Sequence, residues 1–304
     1  GMIFPEIAMI LETLMMVTLL ATDLKETAKA YNDHFGYRTI SSGIINHLCA
    51  KQSGYESMDG QNFIIMRPPE GAPEVMLRFI EGGDPAYQPM LTSGWNAIEL
   101  LARDPDNLSK NMTGDAFEVI GPPAYLTNAK NILAMQVTGP SNELVYLTHM
   151  HDPSLSLLKP QSPASAVGNT FIVVHGSNKL ENHQQFLQKT FKNLLTDPVR
   201  FKIDILAKAR GDSRNTRYPI MLMKFAGPFG LEFDQYKTAL PTKTIDGGIV
   251  LVSASVDSFD KANVDWLRGP TQSKCVGLNG HTGLVQFPSG AKLEVLSPNP
   301  KKKG

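Results

Sequence analysis

The sequence predicts an α+β fold in which a strand–helix–strands module recurs about four times, and three observations carry that prediction. First, short apolar runs recur along the chain. They include MMVTLLA at 15–21, NAIELLA at 96–102, TFIVVHG at 170–176 and GIVLVSASV at 248–256. Their length, β-branched content and Gly, Pro or Asn flanks mark strands. Second, helical stripes are few and each follows such a run. One falls at Leu24, Ala28, Tyr31 and Phe35, another at Leu180, Leu187, Phe191 and Leu194. Third, the order strand, helix, strands recurs about four times, starting near residues 14, 95, 168 and 248, the signature of an internal repeat.

Taken in order, the first module opens with a strand at 14–21 and a helix that Thr22 or Asp23 can cap. The strands NFIIMRP and EVMLRFI follow. The second module has NAIELLA, a short helix after Asp104, then ILAMQVTG and ELVYLT. The third has TFIVVHG, a helix after Ser177 or Asn178, then VRFKIDILA and IMLMKFAG. The fourth has GIVLVSASV, a weak helix after Asp257, then GLVQFPSG and KLEVLS. The stretch HDPSLSLLKPQSPASAVG, residues 151–168, is rich in Pro and Ser without a sustained period and reads as a linker. The expected division is a first domain at 1–152, a linker at 153–166 and a second domain at 167–304, the two related by a pseudo-twofold.

Composition narrows the function. Lys plus Arg and Asp plus Glu are 29 each, so no global field draws in nucleic acid or acidic membranes. The apolar stretch IAMILETLMMVTLLA is interrupted by Glu12, lacks a basic n-region and is too short to span a bilayer. It reads as a buried strand of a cytoplasmic protein. Cys49 and Cys275 are far apart in no metal-type spacing, which argues against a disulfide framework and fits a reducing compartment. THMHDP, residues 148–153, places His149 and His151 one residue apart beside Asp152, all common metal-ligand types.

Several stretches resemble the vicinal oxygen chelate superfamily of glyoxalases, bleomycin-resistance proteins and extradiol dioxygenases. MMVTLLATDLKETAKAYNDHFGYRT is similar to that family's opening strand and helix. GPSNELVYL and FPSGAKLEVL are similar to its closing strand, and AFEVIGPP to a stretch common in its second modules. The resemblance implies glyoxalase/bleomycin-resistance-like domains, each pair of modules curling a mixed sheet into a cup. It implies metal ligands about seven residues before the aspartate that starts each helix, and at a closing-strand glutamate. Those opening positions fall at Met16, Ala97, Phe171 and the neighbourhood of Ile249 and Val250; the closing positions fall at Tyr146 and Glu294. Glu294 alone among these ligates a hard cation, so the expectation is no metal and no cofactor. His149 and His151 lie past the closing strand and read as solvated residues.

Period-two alternation adds Thr18 and Glu99 to the cup faces. The candidate catalytic groups are Glu294, Glu99 and Tyr146. The candidate ligand-binding residues are Met16, Thr18, Ala97, Phe171 and His281, with Phe171 and Val173 expected to meet Glu294 in the second cup. The expected function is binding of a small apolar or aromatic organic molecule, with any lyase, isomerase or dioxygenase chemistry metal-independent. The partner is a small molecule, neither nucleic acid nor membrane, and a homodimer is compatible with the fold. Two alternatives stand beside it: a metal-dependent dioxygenase or lyase using Glu294, and a sequestering or structural protein without catalysis.

Overall fold

Strand β1 (Leu11–Ala21) runs directly into helix α1 (Leu24–Phe35). Asp23 caps the helix by accepting from the Glu26 amide, and Gly36 ends it at φ 71°, a left-handed conformation suited to glycine. The computed structural model describes residues 8–112, 116–238, 240, 245–259 and 264–297. The first module continues with β2 (Arg38–Ile44), α2 (His47–Gln52), β3 (Asn62–Arg67) and β4 (Met76–Glu81). The second comprises β5 (Gly94–Ala102), α3 (Pro105–Asn111), β6 (Glu118–Tyr125), β7 (Ile132–Thr138) and β8 (Leu144–Met150). The third comprises β9 (Val167–Ser177), α4 (Leu180–Thr190), β10 (Val199–Lys202), α5 (Asp204–Arg210), β11 (Arg217–Lys224) and β12 (Gly230–Gln235). The fourth has β13 (Ile249–Val256), β14 (Arg268–Gln272), β15 (His281–Gln286) and β16 (Lys292–Ser297). Much of the helix expected after Asp257 lies outside the described residues.

The strands form two eight-stranded sheets. Sheet I has the order β14-β15-β16-β13-β1-β4-β3-β2, and sheet II the order β10-β11-β12-β9-β5-β8-β7-β6. Each therefore joins modules from both halves of the chain: the first with the fourth, the second with the third. This corrects the expectation that neighbouring modules share a cup. The opening strands pair antiparallel at the centre of each sheet, β1 with β13 and β5 with β9. Periodicity along one strand carries no information about which distant strand it joins.

Two local expectations also change. VRFKIDILA splits into β10 and α5, because Ile205, Leu206 and Ala207 bury on a helical turn that Gly211 ends at φ 68°. Phe191 leaves the α4 stripe with extended backbone and bridges Met9 instead. Tertiary pairing there outweighs helical period.

The main core fills the space between the sheets and under the helices, with Tyr31, Phe35, Phe79, Phe117, Val145, Phe233 and Val295 among its members. A second, separate cluster lies inside the cup of sheet I, around Met16, Leu20, Phe63, Ile65 and Leu296. Cys49 of α2 and Cys275 belong to it and are joined by a disulfide, 4.8 Å between Cα atoms. The bond removes the argument for a reducing compartment. Among the described residues no helix is long and apolar enough to cross a membrane.

Candidate functional site

The two cups can be superimposed strand for strand by their registers. In sheet I, Met16 pairs with Ser253, Ser253 with Glu294, and Thr18 with Arg78. In sheet II, Ala97 pairs with Val174, Val174 with Glu232, and Glu99 with Tyr146. Glu232 is thus the counterpart of Glu294, and Tyr146 the counterpart of Arg78. Sequence reasoning passed over Glu232 and Arg78, although GPFGLEF at 227–233 has the same form as PSGAKLEV at 288–295.

Cup I is closed by its own side chains. Met16, Leu20, Ile80 and Leu296 from the strands meet Ile45, Met58 and Leu278, and the Cys49–Cys275 bond ties α2 to the loop before β15. Arg78, 1% exposed, lies on the floor and donates from Nε to Thr18 Oγ1 at 3.0 Å. Glu294, also 1% exposed, accepts from Ser253 Oγ at 2.8 Å, with Arg268 Nη2 3.9 Å from its other oxygen. Burial pushes the Glu294 carboxyl up, and Arg78, Ser253 and Arg268 pull it back. The tip of Glu294 is sealed from solvent here, against the expectation that a small molecule reaches it, although its Oε2 and both Arg78 Nη atoms have no hydrogen-bond partner among the described residues.

Cup II is different. Its concave face carries Glu99, Tyr146, Thr148, Glu232 and Asp234, with Gln136, Leu222 and Ile220 beside them. Tyr146, Gln136, Leu222 and Glu232 keep partial exposure, while Glu99, Asp234, Tyr236 and Thr148 are buried. Glu99 accepts from Thr148 Oγ1 at 2.7 Å. The Glu232 and Asp234 carboxyls, two residues apart on one face of β12, hydrogen-bond each other. Gly176 leaves space that Tyr236 fills: a Cβ there would stand 2.3 Å from the phenol oxygen. Asp234 Oδ1 and Tyr236 Oη have no hydrogen-bond partner among the described residues.

The electrostatics follow from that geometry. Burial, then the nearby Glu232, pushes Glu99 up to about 8 against the pull of its Thr148 hydrogen bond. Burial and Glu99 push Asp234 up to about 7, and burial with Asp234 raises Glu232 well above the usual carboxylate range. Tyr146 and Tyr236 are raised by burial and then by Asp234. A raised carboxyl in a concave site is suited to hold or exchange a proton near neutral pH.

The remaining expected site residues fall as follows. Ala97 faces cup II, while Met16 and Thr18 face cup I; all three are fully buried. Phe171 belongs to sheet II, not to the sheet of Glu294. It sits where the β5–β9 register steps from Glu99↔Ile172 to Leu100↔Thr170, and it lines a surface cleft with Leu101, Pro163 and Phe229. Val173 pairs with Ile98 and so faces away from Glu99. His281 opens β15 opposite Ser297, on the face of Gly283 and Val285 and away from Glu294. His149 bonds the Ala102 carbonyl at 3.2 Å, His151 meets Tyr125 Oη at 3.0 Å, and Asp152 caps the turn at Ser154.

The donor sets do not fit a metal ion. In cup I the cation beside Glu294 is Arg78 itself, and Met16 and Ser253 complete the floor. In cup II the opening positions are Ala97 and Val174. Among the described residues no group of three or more His, Cys, Asp or Glu has the arrangement a metal needs.

Comparison with known proteins places this architecture. No family model and no curated protein matches the chain. Among solved structures, glyoxalase I from Zea mays is similar over 94% of this chain and 92% of its own, at 13% identity and TM-score 0.63. A point mutant of the same enzyme gives 14% identity and TM-score 0.64. A putative dioxygenase from Bacillus subtilis is similar over 96% of this chain and 87% of its own, at 9% identity and TM-score 0.60.

Proposed function

Taking as premise that the chain has the two-domain fold of the glyoxalase/bleomycin resistance/dioxygenase superfamily, we propose that it binds a small organic molecule in cup II and that any catalysis there is metal-independent. The observation that carries this reading is the convergence of Glu99, Asp234, Glu232, Tyr146 and Tyr236 on a partly exposed concave face. Among the described residues, Asp234 Oδ1 and Tyr236 Oη have no hydrogen-bond partner. Atoms of Arg78 and Glu294 in sealed cup I also lack one, but in cup II the neighbouring face keeps partial exposure. Buried polar atoms without partners are costly, and a ligand that satisfies them is favoured. Ile220 and Leu222 supply apolar surface for the body of the ligand.

The chemistry available to the chain is proton transfer. Glu99 and Asp234 bracket neutral pH and can give or take a proton at their carboxyl oxygens, the ordinary requirement for an isomerase or lyase step. Tyr146 orients rather than titrates, because burial keeps its phenol protonated. Cup I has a structural role: its closed interior supports sheet I.

A titration with benzyl alcohol, followed by calorimetry, tests the reading. Binding is expected in wild type, unchanged after dialysis against EDTA, and lost in Leu222→Trp, which fills cup II from β11. Binding that survives Leu222→Trp, or that disappears with the chelator, contradicts it.

A further inference from the structure

The paired cups provide an internal comparison. In cup I the inward carboxylate Glu294 has two guanidinium groups for company, Arg78 and Arg268. At the place of Arg78, cup II has Tyr146. There three carboxyls, Glu99, Glu232 and Asp234, stand within electrostatic reach of one another, and no cationic side chain among the described residues offsets them.

The cations at the margin are engaged elsewhere. Arg210 of α5 donates from Nη1 to the Met90 carbonyl and from Nη2 to Thr238 Oγ1. Its guanidinium lies over the Tyr236 ring, 5.1 Å from the centroid. Lys224, at the other end of β11, donates to the Phe225 carbonyl at 3.1 Å. The other titratable groups facing the cluster are the phenols of Tyr146 and Tyr236, with Tyr87 behind Tyr236. The Tyr236 hydroxyl, 2% exposed and unpartnered, is an acceptor independent of the carboxyls. Aromatic faces and carboxylates together are the usual surroundings of an organic ammonium group.

We propose that the ligand of cup II is an organic cation, a protonated amine on a small apolar body, whose charge sits among Glu99, Glu232 and Asp234 and takes the part that Arg78 plays in cup I. This rests on cup II being the ligand site. Binding the cation favours the ionised carboxyls, so the complex forms with release of protons.

Benzylamine, benzyl alcohol and benzoate share one shape and differ in charge, and their titration at pH 7.5 tests the proposal. Benzylamine is expected to bind about tenfold or more tighter than benzyl alcohol, and benzoate weakest. Its binding enthalpy should vary between buffers of different ionisation enthalpy, which reports the released protons. Glu232→Gln should abolish the preference for the amine, bringing its affinity level with that of benzyl alcohol measured in the same variant. Glu99→Gln is the second variant if that one fails to fold. Equal affinities for amine and alcohol, both lost in Leu222→Trp, overturn the cation and leave cup II as a ligand site. Benzoate binding tightest overturns it as well. If none of the three binds, both the cation and the ligand site fail.

Discussion

Arg78 and Tyr146 occupy equivalent registers in the two cups, opposite Thr18 and Glu99 respectively. That exchange decides the character of each cup. A guanidinium on the floor of cup I pulls the Glu294 carboxyl back down electrostatically, and apolar side chains close the cup. A phenol in the same place leaves the carboxyls of cup II without a cationic side chain among the described residues.

Breaking the pair in cup I should cost stability rather than function. Glu294→Gln removes the negative charge that offsets buried Arg78 and half-buried Arg268, so stability should fall. The double variant Arg78→Met, Glu294→Leu should recover most of it. Urea denaturation measures both. Ligand affinity that changes in Glu294→Gln while stability does not would contradict the closed state of cup I.

The Cys49–Cys275 bond closes a long loop, with 226 residues of sequence separation. Cross-links of this kind typically stabilise by about 2–5 kcal/mol. Reduction, or Cys275→Ser, should lower the melting temperature and loosen the cover of cup I without altering ligand binding in cup II. Counting free thiols in the unfolded protein checks the bond: none is expected before reduction and two after it.

The raised carboxyls of cup II should make stability fall as pH rises from the ordinary carboxylate range, about 4, to about 8. The folded-state values of Glu99, near 8, and Asp234, near 7, lie above their unfolded values, so their stabilising contribution is complete below the unfolded range. It is lost as pH climbs through the folded values. His175 and His183 act oppositely: burial lowers both, so they cost stability as pH falls through the ordinary histidine range. Above about pH 6.5 the histidines are neutral in both states, so thermal melts should show stability falling from there to about pH 8, with Glu99→Gln flattening that slope. A variant with an unchanged slope would show that Glu99 does not titrate in this range.

Gly176 makes room for Tyr236, so Gly176→Ala should displace that ring at a cost of roughly 1–3 kcal/mol, typical of overpacking. The same change should weaken ligand binding in cup II. Gly211→Ala, at the end of α5 with open space around it, should leave binding unaffected despite its own backbone strain.

The module repeat was legible because each strand and helix carries its own period. The resemblance put Tyr146 and Glu294, and period-two alternation put Glu99, on inward faces, which the strand registers share. The pairing of the first module with the fourth was not legible, since it depends on contacts between strands more than two hundred residues apart. That is why Glu294 was matched with Phe171 rather than with Arg78. His281 was read as a candidate on the rim of the second cup, but it opens β15 opposite Ser297 and so faces away from Glu294. Glu232 was visible in GLEF but went unread, because only one closing strand was assigned to each half of the chain. Asp234 and Tyr236 acquire their importance from burial and from the gap at Gly176, neither of which a strand pattern reveals.

A crystal structure of the protein with benzyl alcohol bound tests the central claim most directly. The account predicts density on the concave face of sheet II, beside Leu222 and within hydrogen-bonding distance of Glu99, Asp234 or Tyr236, with cup I unchanged. Density against Arg78 and Glu294, with cup II empty, would contradict it.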